Sequence, residues 1–243
     1  GLLSAVNAQI EIPQPSPKST LVQEVGVTKI TIEYSSPAVK GRVVWGDLVP
    51  YDQVWRTGAN KATAVTFSKD VKIGGVDVKA GSYSIFTIPG KEEWTMILNK
   101  NTELWGSDNY KETEDAVRIK VKPEPITFRE RLLFTVSNFD NNKAQIDMEW
   151  ERVKVSIPIE LNSHEQAVKS VNNSFASNAS QYAGAARYML DNDKDLNEAL
   201  RWINISISLN ETWFNNWIKA QILAKQNNFK EALKFAQKAK ELG

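Results

Sequence analysis

Around residue 162 the spacing of apolar side chains changes from every second position to every third or fourth. Side chains alternate faces on a strand and return to one face every 3.6 residues on a helix. The chain must therefore build sheets first and helices afterwards, and neither pattern can be exchanged for the other. The expected fold class is α+β in two segregated parts: an antiparallel β-sandwich of jelly-roll type, then an all-helical tail. Residues 1–17 form an extended lead-in, 18–161 the sandwich and 162–243 the helical part.

The two-residue beat is clear in several runs. Ile30, Ile32 and Tyr34 share one face, with Lys29, Thr31 and Glu33 on the other. Val65 and Phe67, then Val117, Ile119 and Val121, alternate with polar neighbours. So do Ala144, Ile146, Met148 and Trp150, and then Val153, Val155, Ile157 and Ile159. Leu132 to Val136 is more fully apolar. Gly74-Gly75 marks a tight hairpin because paired glycines accept positive φ. Pro89-Gly90 marks a second turn between Tyr83–Ile88 and Trp94–Leu98. About nine half-buried strands with short turns favour antiparallel pairing in two packed sheets. Pro13, Pro15 and Pro17 keep the lead-in extended.

Beyond Ser163, which with Gln166 has the spacing of a capping box, helical patterns cover 164–177, 179–191, 195–209, 212–226 and 229–241. Leu196-Asn197-Glu198-Ala199-Leu200-Arg201-Trp202 matches Phe229-Lys230-Glu231-Ala232-Leu233-Lys234-Phe235 at an offset of 33 residues. A small residue followed by an aromatic at this period resembles the tetratricopeptide repeat, over roughly residues 179–242. The resemblance implies a scaffold for protein contact, although the first unit lacks the early tryptophan and the helix-ending proline. Trp213 and Trp217 lie one helical turn apart and are the partner-contact candidates; packing onto the preceding repeat is the alternative.

Composition narrows the chemistry. Lys plus Arg is 30 and Asp plus Glu 29, evenly spread over both parts, which argues against a nucleic-acid surface. No apolar stretch is long enough to span a bilayer as a helix. There are no cysteines, which excludes disulfides and thiolate chemistry, and His164 is the only histidine. No cofactor or metal site is expected: Asp191-Asn192-Asp193-Lys194-Asp195 opens like a calcium loop, but Leu196 and Trp202 occupy its glycine and glutamate positions. Glu112, Glu114 and Asp115 are the carboxylates that a glycan hydrolase would use. Leu2-Leu3-Ser4-Ala5-Val6-Asn7-Ala8 reads as the end of a signal peptide, which places the protein in the periplasm or outside the cell.

The densest polar and aromatic cluster runs from Arg42 to Asn60. Trp45, Tyr51 and Trp55 offer flat apolar faces, and Arg42, Arg56, Thr57 and Asn60 offer directed hydrogen-bonding groups. Loops on a rigid sandwich commonly carry binding groups, and this mixture suits a sugar ring, a carboxylate or a phosphate. An internal role, with guanidinium groups tied to backbone carbonyls, is the competing reading. Tyr34-Ser35-Ser36-Pro37, Val39-Lys40-Gly41-Arg42, Leu48-Val49-Pro50-Tyr51 and Trp55-Arg56-Thr57-Gly58-Ala59-Asn60 form an ordered set. Gly81-Ser82-Tyr83, Phe86-Thr87-Ile88-Pro89-Gly90, Glu93-Trp94-Thr95 and Trp105-Gly106 continue it. Together they resemble the Domain of Unknown Function 2911 family over roughly residues 18–160. The resemblance implies an exported bacterial β domain, implies no activity, and adds Trp105 to the ligand candidates. The expected function is a non-enzymatic binding protein, its sandwich holding a small polar or carbohydrate ligand and its helices a protein partner. A carboxylate-dependent glycan hydrolase and a purely structural component are the alternatives.

Overall fold

The structure, a computed structural model, describes residues 12–243; the signal-peptide-like Leu2–Ala8 lies outside the described residues. The chain divides into two compact units, Gly1–Ser163 and His164–Gly243.

Among its described residues the first unit holds ten strands: β1 Lys18–Val25, β2 Thr28–Ser35, β3 Thr63–Phe67, β4 Val71–Ile73, β5 Val76–Val78, β6 Gly81–Ile88, β7 Trp94–Asn99, β8 Asp115–Val121, β9 Glu124–Ser137 and β10 Lys143–Leu161. One sheet has the order β1-β2-β3-β6-β7-β8 and the other β5-β4-β10-β9, with every pairing antiparallel. The alternating apolar residues of both sheets meet in one core, where Ile30, Ile32, Val65 and Ile85 join Ile146, Met148, Val155 and Ile157. Burying such side chains contributes about 1.5–3 kcal/mol each, and that burial fixes the register. Gly74 (φ 57°) and Gly75 (φ 81°) make the two-residue turn between β4 and β5. A Cβ at Gly74 would lie 2.4 Å from Ile119 Cγ2, so its glycine is needed for space as well as for φ.

β10 is continuous in its hydrogen bonding yet doubles back. The Leu161 amide donates to the Asn142 carbonyl (2.6 Å), and the Ser156 hydroxyl donates to Asp147 Oδ1 (2.5 Å). A straight strand would hold residues 147 and 156 about 30 Å apart. The reversal falls at Glu151, in the left-handed region (φ 57°), beside shifts in the β9 register. The runs 144–150 and 153–159, read from sequence as two strands, are its two arms. Asp147 is buried between them, accepting from Ser137 and Ser156.

β6 and β7 are buried on both faces. Tyr83, Ile85, Trp94, Met96 and Leu98 face the sandwich core. Phe86 and Ile97 face outward into a smaller cluster with Ala62 and Leu104, against which Val54, Ile88 and Tyr110 pack. The covering segments are the long connection 36–62 and the loop 100–114.

The second unit has four helices: α1 Ser163–Asp191, α2 Leu196–Leu209, α3 Trp213–Lys225 and α4 Phe229–Leu242. The spans expected at 164–177 and 179–191 are one helix. No proline or glycine interrupts 163–183, and the Ser180 hydroxyl donates back to the Ala176 carbonyl (3.1 Å) within the helix. Asp195 caps α2 by accepting from the Asn197 and Glu198 amides, so the acidic run 191–195 is a helix connection. Thr212 and Asn215 form a reciprocal capping box on α3. Ala183, Ala186 and Leu190 of α1 pack with Ala199 and Ile203 of α2 and Ile218 and Ile222 of α3. The two matched heptapeptides open α2 and α4 at the same position, with Ala199 and Ala232 buried.

Candidate functional site

The connection 36–62 gives neighbouring residues opposite fates. Trp55 pairs with Thr87 beyond the end of β3, through Trp55 N–H to Thr87 O (2.7 Å) and Thr87 N–H to Trp55 O (2.9 Å). It therefore extends the sheet by one position, and its side chain points into the sandwich. There it stacks on Trp150 (5.9 Å between centroids, 19°) and meets Trp45 edge-on at 5.8 Å. Trp45 also meets Trp94 (4.8 Å) and Trp150 (5.8 Å). Two of the aromatic candidates, Trp45 and Trp55, are thus packed into the core wall. Tyr51 lies over Gly46, where a Cβ would stand 2.8 Å from the ring.

Alternation then sends Arg56 to the outer face of the six-stranded sheet, opposite Phe86. Phe86 pairs with Ile97 and Ile97 with Arg118, so one rung carries an arginine at each end. Three strand spacings separate them, about 14 Å. The loop behind Arg56 is locked. Its carbonyl accepts from Thr63 N–H (3.3 Å), and the Thr63 hydroxyl donates to the Thr57 carbonyl (2.7 Å). Thr57 sits at φ 54°, uncommon for a β-branched residue and sustained only where surroundings over-determine it. It is fully buried, its hydroxyl 3.2 Å from that of Thr87. Asn60 (φ 59°) donates to the Ser35 hydroxyl (3.2 Å) and the Ser16 carbonyl (3.4 Å).

Arg42 and Arg56 differ in their satisfaction. Arg42 donates to the Val39 (3.0 Å) and Ala38 (2.6 Å) carbonyls, a strut within its own turn. Arg56 Nε is buried without a hydrogen-bond partner. Burial lowers the pKa of the Arg56 guanidinium below the ordinary arginine value, and the charge of Asp108 opposes that shift. The group stays charged at neutral pH, since arginine keeps its proton in proteins.

The loop 100–114 completes the face. Leu104 is anchored under Ala62, whose amide donates to its carbonyl (3.0 Å), and Lys61 bridges Trp105. The Trp105 side chain remains 72% exposed. Tyr110 donates to Asp115 Oδ2 (2.6 Å), and Asn99 donates to Asp115 Oδ1 (2.8 Å). Burial, reinforced by the bond to Asp115, pushes the Tyr110 hydroxyl well above the usual phenol range. Glu112 pairs with Arg118, and Glu114 accepts from Asn101 (3.3 Å), so all three carboxylates noted in the sequence are engaged. Beside them a groove of about 410 Å³ is lined by Ile88, Thr95, Glu112, Arg118, Ile119 and Lys120.

A family model described as a protein of unknown function, DUF2911, matches residues 16–159, from the lead of β1 almost to the end of β10. The chain belongs to the DUF2911 family. No curated protein and no solved structure matches it. The DUF2911 match thus covers both sheets and every residue of the face described above, and it ends before the helical unit.

Within this DUF2911 domain, Arg56, Thr57, Asn60 and Trp105 lie on or beside the outer-face loops, whereas Trp45 and Trp55 contribute to the core wall. Sequence reasoning did not single out Asp108, Tyr110 or Arg118. Asp108 and Tyr110 occupy a loop without periodicity, and Arg118 reads as the solvent side of an alternating strand. Among the described residues no cluster of His, Asp and Glu has the arrangement of a metal site. In the helical unit, Trp213 is 51% and Trp217 43% exposed, with Phe214 beside Trp213 at 5.5 Å.

Proposed function

We propose that this protein is a binding protein rather than an enzyme, holding a small polar ligand on the outer face of the six-stranded sheet at Arg56. One observation carries the reading: a half-buried guanidinium with an unpartnered Nε on a locked loop. A buried donor left unsatisfied costs about 1–3 kcal/mol. A ligand oxygen at Nε–H would recover that cost. Asp108 balances the charge without occupying the Nε donor.

The test is a nitrogen-resolved NMR screen of carboxylates, phosphates and sugars, watching the Arg56 Nε–H and Thr57 amide signals. A ligand of this site shifts both, and Arg56→Ala weakens its binding at least about ten-fold, the loss of one charge-assisted hydrogen bond of ~1.5–3 kcal/mol. Shifts that persist at unchanged affinity in Arg56→Ala would refute the assignment, as would a screen that leaves both signals unmoved.

The helical unit is the proposed contact surface for a protein partner, in keeping with its repeat-like pairing. Its support is the exposed Trp213, Phe214 and Trp217 on α3, residue types enriched at interfaces. A photo-crosslinker at position 217 should yield one dominant adduct in cells. A diffuse smear, or no adduct, would count against a dedicated partner.

A further inference from the structure

We infer that the ligand of the outer face is a neutral oligosaccharide and that the Trp105 indole is the platform on which one of its rings lies; this rests on the binding reading above and names its substrate class. Three observations lead there.

The first is the presentation of Trp105. Its side chain is 72% exposed, yet its backbone is held by the bridge to Lys61 and by the buried Leu104 that precedes it. Leu104 is buried in the cluster of Ala62, Phe86 and Ile97, and Lys61 bridges Trp105 across the loop. A large indole on a fixed base loses little conformational freedom on binding, which is how aromatic anchors gain affinity. A sugar ring has an apolar face of C–H bonds that packs on such a surface, while its hydroxyls stay at the rim.

The second is charge matching. Every cation named on this face has a carboxylate acting on it. Lys61 pairs with Glu103 at 3.0 Å, and Arg118 with Glu112 and Asp115. Lys120 pairs with Glu93 at 3.4 Å, and Asp108 acts on Arg56. An anionic ligand brought to Arg56 or Lys61 meets Asp108 or Glu103 at the same place. A hydroxyl both donates and accepts, so a neutral polyol can accept from the cation and donate to the acid of one pair.

The third is extent. The Lys61–Glu103 pair flanks the platform itself. Arg118, paired with Glu112, and Lys120, paired with Glu93, line a groove of about 410 Å³ on the outer face of the six-stranded sheet. Polar pairs spread in this way suit a chain of sugar units better than a single ring.

The experiment uses the full chain, titrated with cellotriose, maltotriose, chitotriose and the anionic trigalacturonate, followed by tryptophan fluorescence and calorimetry. At least one neutral trisaccharide should bind, with a Kd that changes less than about two-fold between roughly 50 and 500 mM salt, because no net charge is being screened. Trp105→Ala should weaken that binding at least about ten-fold, with Trp105→Phe retaining most of it, in variants whose circular dichroism matches the parent. Silence of all three neutral sugars overturns the inference, and so does a Kd unaltered by Trp105→Ala. If trigalacturonate alone binds, and binding depends on Arg56, the saccharide inference falls while the Arg56 reading stands.

Discussion

Trp150→Ala is expected to destabilise the β unit by about 4 kcal/mol, within the range of about 3–5 kcal/mol for removing a buried large aromatic. Trp150 is 1% exposed, stacks on Trp55, meets Trp45 edge-on, and directs its Nε1–H at the Glu130 carbonyl (3.4 Å). Deleting the indole removes one wall from two neighbouring tryptophans, Trp45 and Trp55, at once. Those rings are rigid and cannot collapse into the space, so the cavity term is retained in full. Urea unfolding followed by far-ultraviolet circular dichroism reads the loss. Trp150→Phe keeps most of the ring volume and should cost roughly half as much. A loss below about 1.5 kcal/mol for the alanine variant would mean that the cluster is loosely packed.

Phe86→Ala should cost about 3–4 kcal/mol on the outer face of the six-stranded sheet, away from the sandwich core. Phe86 is fully buried against Ile97, Ala62 and Leu104, with the Tyr110 ring 5.1 Å away. This cluster anchors the loop 100–114 to the sheet, so the variant is expected to loosen the loop selectively. Hydrogen exchange at residues 100–110 should accelerate more than exchange in β1 or β2. Binding at Trp105 should weaken although the mutated side chain touches no ligand. Equal acceleration throughout the β unit would show that the cluster merely supports global stability. The contrast with Trp150→Ala separates the two faces: one supports the sandwich, the other the proposed site.

What the sequence reveals depends on contrast between faces. β2 is easy to read because Ile30 and Ile32 are fully buried between exposed Lys29 and Glu33. β1 escapes notice because its inward positions are Ser19, Leu21, Gln23 and Val25, with only the last fully buried. The N-terminal half of β9 is similar, mostly exposed over Glu124–Arg131. α1 reads as two helices because Asn and Ser are frequent around residues 172–180, and those residues lower helix propensity without breaking a helix. The candidate site shows the deeper limit. Trp55 and Arg56 are adjacent in sequence and look like partners in one cluster. In an extended segment, adjacency places them on opposite faces, and only the pairing of Trp55 with Thr87 decides which one faces out. Asp108 and Tyr110 reach their places through a loop that no periodicity describes.

The pairing of β4 has a temporal consequence. Its partners on β10 are Glu160 and Leu161, about 90 residues later in the chain. Translation delivers the short β4–β5 hairpin early, and its partner edge emerges only when nearly the entire unit has been made. Contacts that close so large a loop form late and make folding slow. The nascent chain therefore carries an open sheet edge through most of its synthesis, and closure of the second sheet awaits the residues just ahead of the first helix.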